Sequence, residues 1–297
     1  MLKRRKRELK FVEGRPQESE WKRFIRVFFG RRIVLFGLIV VALYIIVAIF
    51  APWIAPYDYK TISSTILSQP SAEHWLGTDT VGRDVLSRLI FGVRPTLIVG
   101  SVTILIAAVA GTILGLLAGY FGGWIQTIIM RFIDALMGFP MILLALLIAS
   151  LLGGGLKNIV IALGIALIAG FARVMCAQTL TIKENDYIIA GRSLGLTNFR
   201  LMWKHIIPNA FPPMIILATM NIGMVILMEA GLSFLGVGIQ QPDAAWGSMV
   251  SAGYNRLTSN PALSVAPGIA IMLIVFSLNM VGDGLRDALD PRLRGTL

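Results

Sequence analysis

Charge is scarce in this chain. Only 14% of its 297 residues are Asp, Glu, Lys or Arg, against roughly 25% in soluble globular domains. Hydrophobic residues make up 56% of it, and the mean hydropathy is +0.76. That balance excludes a soluble globular fold and leaves a membrane protein. Cys176 is the single cysteine and cannot close an intrachain disulfide, which excludes a stapled secreted scaffold. Two histidines and one cysteine are too few for a zinc cluster, so no metal site is expected. No lysine follows a glycine anywhere; the phosphate-cradling loop G-x-x-x-x-G-K-[ST] is therefore missing, and no ATP is expected to bind this chain directly. The formal charge of +11 does not point to nucleic acid, because twelve of the 27 Lys and Arg residues stand in the first thirty-two positions, ahead of any apolar run.

Long apolar runs are what the chain has in abundance. Ile33 to Trp53 carries no charge and is long enough to cross a hydrocarbon core of about 30 Å as a helix. An apolar core of about 20 residues behind a basic region of about 30 is too long for a cleaved signal peptide. Five further apolar segments follow, at about Thr96 to Tyr120, Ile125 to Leu152, Ile159 to Leu180, Ile206 to Val237 and Ala266 to Leu285. Six spans put both termini on one side. The basic N-terminal residues are joined there by Arg131, Arg173, Lys183, Arg192, Arg200, Lys204, Arg286, Arg292 and Arg294, whereas Lys60, Arg83, Arg88, Arg94, Lys157 and Arg256 fall opposite. The positive-inside rule then places both termini in the cytoplasm. The expected division is a basic cytoplasmic tail (1–32), a first transmembrane helix (33–54), an outer loop (55–94), a five-helix core (95–286) containing a cytoplasmic segment at about 182–206, and a cytoplasmic tail (287–297).

Within that frame, Gly111, Gly115 and Gly119 recur every four residues, a bare strip along one helix face that lets another backbone approach closely. Pro140 removes a donor inside the third span and is expected to kink it; Pro95 is expected in the first turn of the second. The outer loops, about Ala55 to Arg94 and Gly238 to Pro267, carry Trp75, Trp246 and Tyr254. They fold over the outer face, meet a partner there, or serve as solvated connectors.

One polar stretch interrupts the apolar pattern: AGRSLGLTNFRLMWKHIIPNA, Ala190 to Ala210. Tyr187 to Leu194 reads as a short helix, Gly195 as a left-handed stop, and Thr197 as the cap of a second helix running toward Ile206, with Pro208 at the start of the fifth span. Ile188, Ile189, Leu194, Phe199, Leu201, Met202 and Trp203 stand among the basic residues, a pattern suited to a membrane interface or to a groove in a partner protein.

The run Ile189-Ala190-Gly191-Arg192-Ser193-Leu194-Gly195 followed by Ile206-Ile207-Pro208 resembles the EAA motif of the membrane subunits of bacterial ABC importers. Ile189 stands where that motif has Glu, and Gly191 replaces its second Ala. Tyr187, Ala190, Gly191, Arg192 and Gly195 follow the Tyr-x-x-Ala-Ala-Arg-x-x-Gly variant of peptide importers closely. His205 to Ala210, Glu229 to Gly236, Trp246-Gly247, Asp287 to Arg294 and Leu76 to Asp79 with Gly82-Arg83-Asp84 resemble, in the same order, the C-type membrane subunit of the dipeptide, oligopeptide and nickel permease family. The likeness spans about Arg31 to Arg294. It implies an all-α membrane protein with six transmembrane helices, the type I ABC importer transmembrane-domain fold, in a prokaryotic plasma membrane. It also implies that Tyr187, Ile189, Ala190, Gly191, Arg192, Gly195, His205 and Pro208 belong to coupling helices that dock on an ATPase. The partners it implies are a homologous permease forming a heterodimer, two cytoplasmic ABC ATPase subunits that hold the ATP and Mg, and an extracytoplasmic solute-binding protein, all around a chain surrounded by membrane lipid. The cargo it implies is a di- or oligopeptide or a related small solute such as a nickel chelate.

Gly191-Arg192-Ser193-Leu194-Gly195 also matches the G-x-S-x-G nucleophile elbow, but that motif works on a strand-to-helix turn and the pattern here is helical. No catalytic group is expected. Carboxylates inside spans are functional candidates by default. Asp134 lies three residues after Arg131, which predicts a local ion pair. Glu229 is expected either to hold helices or subunits together by hydrogen bonds or to touch substrate, with Asn221 and Met224 in the same span as further translocation-path candidates. The competing reading is an ion-coupled secondary transporter, which calls for several intramembrane charges or inverted repeats; one isolated carboxylate and no repeat are present.

Overall fold

A computed structural model describes residues 20–289; the rest of the N-terminal basic tail and the segment from Asp290 lie outside the described residues. The chain is helical nearly throughout. In order come α1 (Glu20–Gly30), α2 (Arg32–Ile54), α3 (Val85–Phe121), α4 (Gly123–Met137), α5 (Met141–Leu152), α6 (Leu156–Lys183), α7 (Asp186–Ser193), α8 (Asn198–Leu201), a π-helical turn (Met202–Ile206), α9 (Ile207–Phe234), α10 (Trp246–Tyr254) and α11 (Ala262–Leu289). Among the described residues the sole β contact is an isolated bridge between Thr78 and Asp84.

Five helical stretches are long and apolar enough to cross a membrane: α2, α3, α6, the run Asn198–Phe234 and α11. The pair α4 and α5, bent by 91° between its halves, makes a sixth candidate span when taken together. Pro140 was expected to kink one continuous helix; the structure breaks it. Gly138, Phe139 and Pro140 fall between the two halves; Gly138 ends α4 still in the right-handed helical region, and Pro140, at ψ 126 and with no N–H to donate, leaves it, so α5 starts in a new direction.

The second correction concerns α3. It starts at Val85, ten residues before Pro95, so Pro95 lies well inside the helix and the loop expected over 55–94 ends early. Asp84 causes this: its Oδ2 accepts from the Ser87 amide at 2.7 Å, an N-cap that nucleates the helix among charged residues.

The most enclosed span is α6, with 61% of its apolar window buried against 11% for α2. Helix α2 therefore lies on the outside of the bundle, while α6 sits at the centre, and α3 packs along it through the glycine strip. A Cβ on Gly111 would come within 2.4 Å of the Phe171 Cβ, one on Gly115 within 2.3 Å of the Ala172 oxygen, and one on Gly119 within 2.7 Å of the Thr179 Cβ. Backbone cannot step aside as a side chain can. Gly115→Ala is therefore expected to lower stability by about 1–3 kcal/mol, the usual range for overpacking, read as an earlier thermal unfolding midpoint in detergent; an unchanged midpoint would refute the close α3–α6 approach.

Antiparallel packing joins α2 to α11. Gly284 faces Val34, Gly37 lies against Ser277 and Met280, and the Tyr44 hydroxyl donates to the Ala270 carbonyl at 3.0 Å. The start of α2 and the end of α11 thus lie at one end of the bundle, tied there by the Arg31–Asp287 ion pair. Asp134 pairs not with Arg131, as its spacing predicted, but with Arg173 on α6. Packing of Ile133 against Ala169 and Ala172 brings those two helices side by side, and the interhelical partner prevails over the local one.

At the other end of the bundle, the outer loops fold into one cap rather than separate connectors. Arg88, 2% exposed, donates to the carbonyls of Tyr59 and Pro242 at 3.2 Å and of Asp243 at 3.1 Å. Arg83 bridges Asp79 at 2.8 Å and Gln241 at 3.1 Å. Trp246 is buried, with its indole N–H donating to the Leu89 carbonyl at 3.0 Å, while Trp75 and Tyr254 stay exposed.

Candidate coupling site

The segment between α6 and α9 is built by two helix stops and a widened turn. Asp186 opens α7 and Arg192 closes it, each placed favourably for the helix dipole. Past the end, the Gly195 amide donates to the Arg192 carbonyl at 3.0 Å and the Leu196 amide to the Gly191 carbonyl at 3.1 Å. This pair of bonds is a Schellman stop, and Gly195 supplies the left-handed residue it requires at φ +80. Gly191 lies beneath Leu196 and Leu201, both of which a Cβ would meet at 3.1 Å. Thr197 then caps α8, its Oγ1 accepting from the Arg200 amide at 3.4 Å.

Between α8 and α9 the backbone takes one π turn. Pro208 has no N–H and its ring crowds the carbonyl four residues back. In the wider turn, the Ile207 amide reaches back to the Met202 carbonyl, which accommodates the proline without interrupting the rod. Asn209 Nδ2 donates to the His205 carbonyl at 2.6 Å. Residues Asn198 to Phe234 consequently run as one 37-residue helical stretch from the Gly195 turn to the outer end of the bundle.

The unit has an inner and an outer face. Ile188, Leu201 and Ile206 are fully buried in the core cluster. Tyr187, Ile189, Phe199 and Trp203 point outward, as does Leu194 at 84% exposure. Phe199 and Trp203 stack with ring centroids 6.3 Å apart, and the Tyr187 and His205 rings lie 6.4 Å apart. Ala190 and Arg192 are exposed on α7, and Pro208 is exposed at the start of α9. Ser193 is part of the helix and its Oγ donates to the Ile189 carbonyl at 3.1 Å, so the G-x-S-x-G pattern makes no nucleophile elbow.

Tyr120, at the C-terminal end of α3, ties the unit to the bundle, and the sequence reading missed it. Its hydroxyl donates to Asn198 Oδ1 at 2.7 Å, and the Arg192 guanidinium lies 5.7 Å from its ring centre. Lys183 adds a second tie, donating to the Gly119 carbonyl at 3.0 Å, one of the free carbonyls that end α3. The available signal was a tyrosine directly after the glycine strip. Tyr120→Phe keeps the ring under Arg192 and removes one hydrogen bond of about 1 kcal/mol. The expected result is amide exchange in α7 and α8 faster by a factor of about five with exchange in α6 unchanged; equal exchange would refute the tie.

The translocation-path candidates do not converge. Glu229 is 1% exposed, and its Oε1 accepts from the Ser233 hydroxyl at 2.6 Å, whose oxygen accepts in turn from the Ile239 amide at 3.0 Å. Asn221 donates to the Leu217 carbonyl of its own helix at 2.7 Å, while Met224 faces outward.

Five long apolar helices and one bent pair, with a two-helix loop running into a span, make an arrangement shared with known proteins. Residues 111–295 match the family described as Binding-protein-dependent transport system inner membrane component. The chain belongs to that family of permeases. Residues 19–70 match the N-terminal TM domain of oligopeptide transport permease C. The permease is 41% identical over 277 residues to the Dipeptide transport system permease protein DppC of Alkalihalophilus pseudofirmus, covering 93% of this chain and 91% of that one. It is 38% identical over 288 residues to the Glutathione transport system permease protein GsiD of Pectobacterium atrosepticum, 96% of each chain. Its fold is similar to a chain of the inward-facing MetNI methionine ABC transporter, with a TM-score of 0.56 at 19% identity over 68% of this chain and 96% of that one. The permease is an all-α, multi-span protein of the bacterial inner membrane and a membrane subunit of an ABC importer.

Proposed function

We propose that the permease carries peptides, or a small peptide-like solute of the glutathione type, inward, and that α7 and α8 form its contact with a cytoplasmic ATPase. The observation that carries this reading is the unbroken helical run from Asn198 to Phe234. A push on the exposed apolar face of α7 and α8 is delivered to the far end of a membrane span along one continuous helical stretch, which runs on through the π turn at Met202–Ile206 and through Pro212 and Pro213. Alternating access requires such a lever. Tyr187, Ile189, Ala190 and Arg192 belong to the docking face. Gly191, Gly195, His205 and Pro208 keep the face in register with α9.

The remaining parts of this reading are supported by the family, described as a component of binding-protein-dependent transport systems, and by the likeness to a chain of an ABC transporter. ATP and Mg are held by two partner ATPases, a homologous permease completes the translocation path, and an extracytoplasmic binding protein delivers the solute to the outer cap. Both termini and the coupling unit face the cytoplasm, in keeping with the distribution of Lys and Arg. The division into tail, first span, outer loop and core stands with it, the outer loop ending at Asp84. Glu229 acts as a hydrogen-bonded brace for the turn after α9 rather than as a contact for substrate.

The test is extraction of the tagged permease from its own cell in mild detergent, followed by mass spectrometry and an uptake assay with and without ATP. Recovery of a second multi-span permease with nucleotide-binding subunits, and uptake that stops on ATP depletion, is the expected result. A lone homo-oligomer whose uptake survives ATP depletion and collapses with the ion gradient would replace this reading with an ion-coupled secondary transporter.

A further inference from the structure

The N-terminal helix α1 carries three stripes, one of them packed on the bundle. Phe28 is buried, and Phe24 and Val27 are half-buried, against Val281, Leu285 and Ala288 of α11. Next to that face, Trp21, Ile25 and Phe29 stand at spacings of four and are 69%, 41% and 46% exposed. Lys22 and Arg26 lie beside them, one position further round, and both are exposed. A ring stack from Trp21 through Phe24 to Phe28, with centroids 5.7 and 5.6 Å apart, stiffens the apolar side.

The place of α1 in the fold decides what covers the open stripe. One extended residue, Arg31, separates it from α2, a helix that enters the membrane, so α1 lies at the level where water, headgroups and acyl chains meet. At that level an indole and two apolar side chains at four-residue spacing, edged by basic residues, match a helix lying in the interface plane. Charge complementarity names the lipid. Residues 1–32 hold twelve Lys and Arg against four Glu, a net +8 of the chain's +11, and each basic group near an anionic surface adds to binding. We infer that α1 is a lipid-recognition helix whose Trp21, Ile25 and Phe29 stripe inserts at the acyl boundary while Lys22 and Arg26 engage anionic phospholipid headgroups. The inference depends on α2 spanning the membrane and not on the cargo or the ATPase contact.

The test is hydrogen exchange of the full-length permease in nanodiscs of phosphatidylcholine alone and of phosphatidylcholine with phosphatidylglycerol. Amides of α1 are expected to exchange about five-fold or more slowly in the anionic discs, with the gain lost at high salt, in Lys22→Gln/Arg26→Gln, and in Ile25→Ser/Phe29→Ser. Exchange in α6 serves as the control that each variant is folded. Equal exchange of α1 in the two lipids would overturn the inference. So would a gain retained by both double variants, which would place the lipid contact elsewhere in the basic tail. Protection that appears in neutral discs only when the ATPase subunits are added would overturn it in favour of a protein partner.

Discussion

Gly195→Val is expected to leave the importer assembled and hydrolysing ATP while uptake falls by an order of magnitude or more. No atom beyond its chain neighbours lies within 4 Å of the position a Cβ would take at residue 195, which is exposed, so the cost of the substitution is chiefly conformational. The residue holds φ +80, where an L-residue pays about 1–2 kcal/mol and a β-branched one the upper end. About 2 kcal/mol biases the turn against its native form by roughly thirty-fold. Two Schellman bonds and the placement of Thr197 as a cap depend on that turn, so α7 loses its register against α8 and α9 while each helix persists. Gly195→Asn supplies the discriminating control, since asparagine tolerates the left-handed region. Its uptake is expected to fall between wild type and Gly195→Val. Wild-type uptake by the Val variant would mean that the turn does not transmit motion.

The turn was legible in advance because its signals are local: a glycine stop, a threonine cap two residues on, and a proline at the head of a span. The spans were legible for a similar reason, as uninterrupted apolar runs, and the Gly111, Gly115 and Gly119 strip followed from spacing along one helix. What escaped the sequence reading depends on partners far apart in the chain. Arg88 read as a loop charge, yet its acceptors are carbonyls at residues 59, 242 and 243, and with those satisfied it can sit in the first turn of α3. Asp134 was assigned the neighbour three residues away because nothing in its own helix announces Arg173. Tyr120 escaped because its partners, Arg192 and Asn198, lie in a different segment. Pro140 was recognised as a disturbance, but its size was not: a 91° break separates α4 from α5 where a kink was expected.

The outer cap makes the other large effect. Arg88→Met is expected to destabilise the folded cap by about 3–5 kcal/mol, the cost of removing one partner from a buried charged network. Methionine fills most of the volume but donates nothing, and the carbonyls of Tyr59, Pro242 and Asp243 lose a donor together. Asp79 keeps Arg83, which donates to its Oδ2 at 2.8 Å, so the damage falls on the link between the two loops rather than on the carboxylate. Arg88→Lys is a stringent comparison, because a single ammonium on a flexible stem cannot reproduce a planar fork that reaches both loops at once; it is expected to recover only part of the loss. Of the links that remain, Arg83 to Gln241 at 3.1 Å stands beside the lost one, while those from Gln69 to the Ser259 carbonyl at 2.6 Å and from Asn260 to the Ser68 carbonyl at 3.1 Å join other parts of the two loops and are expected to hold. Hydrogen exchange resolved by peptide measures this directly. Residues 57–60 and 240–243 should exchange faster by two or more orders of magnitude in Arg88→Met, while 68–69 and 259–260 change less. Uniform wild-type exchange across both loops would show that the cap holds without its buried cation, and would return the outer segments to the status of separate connectors.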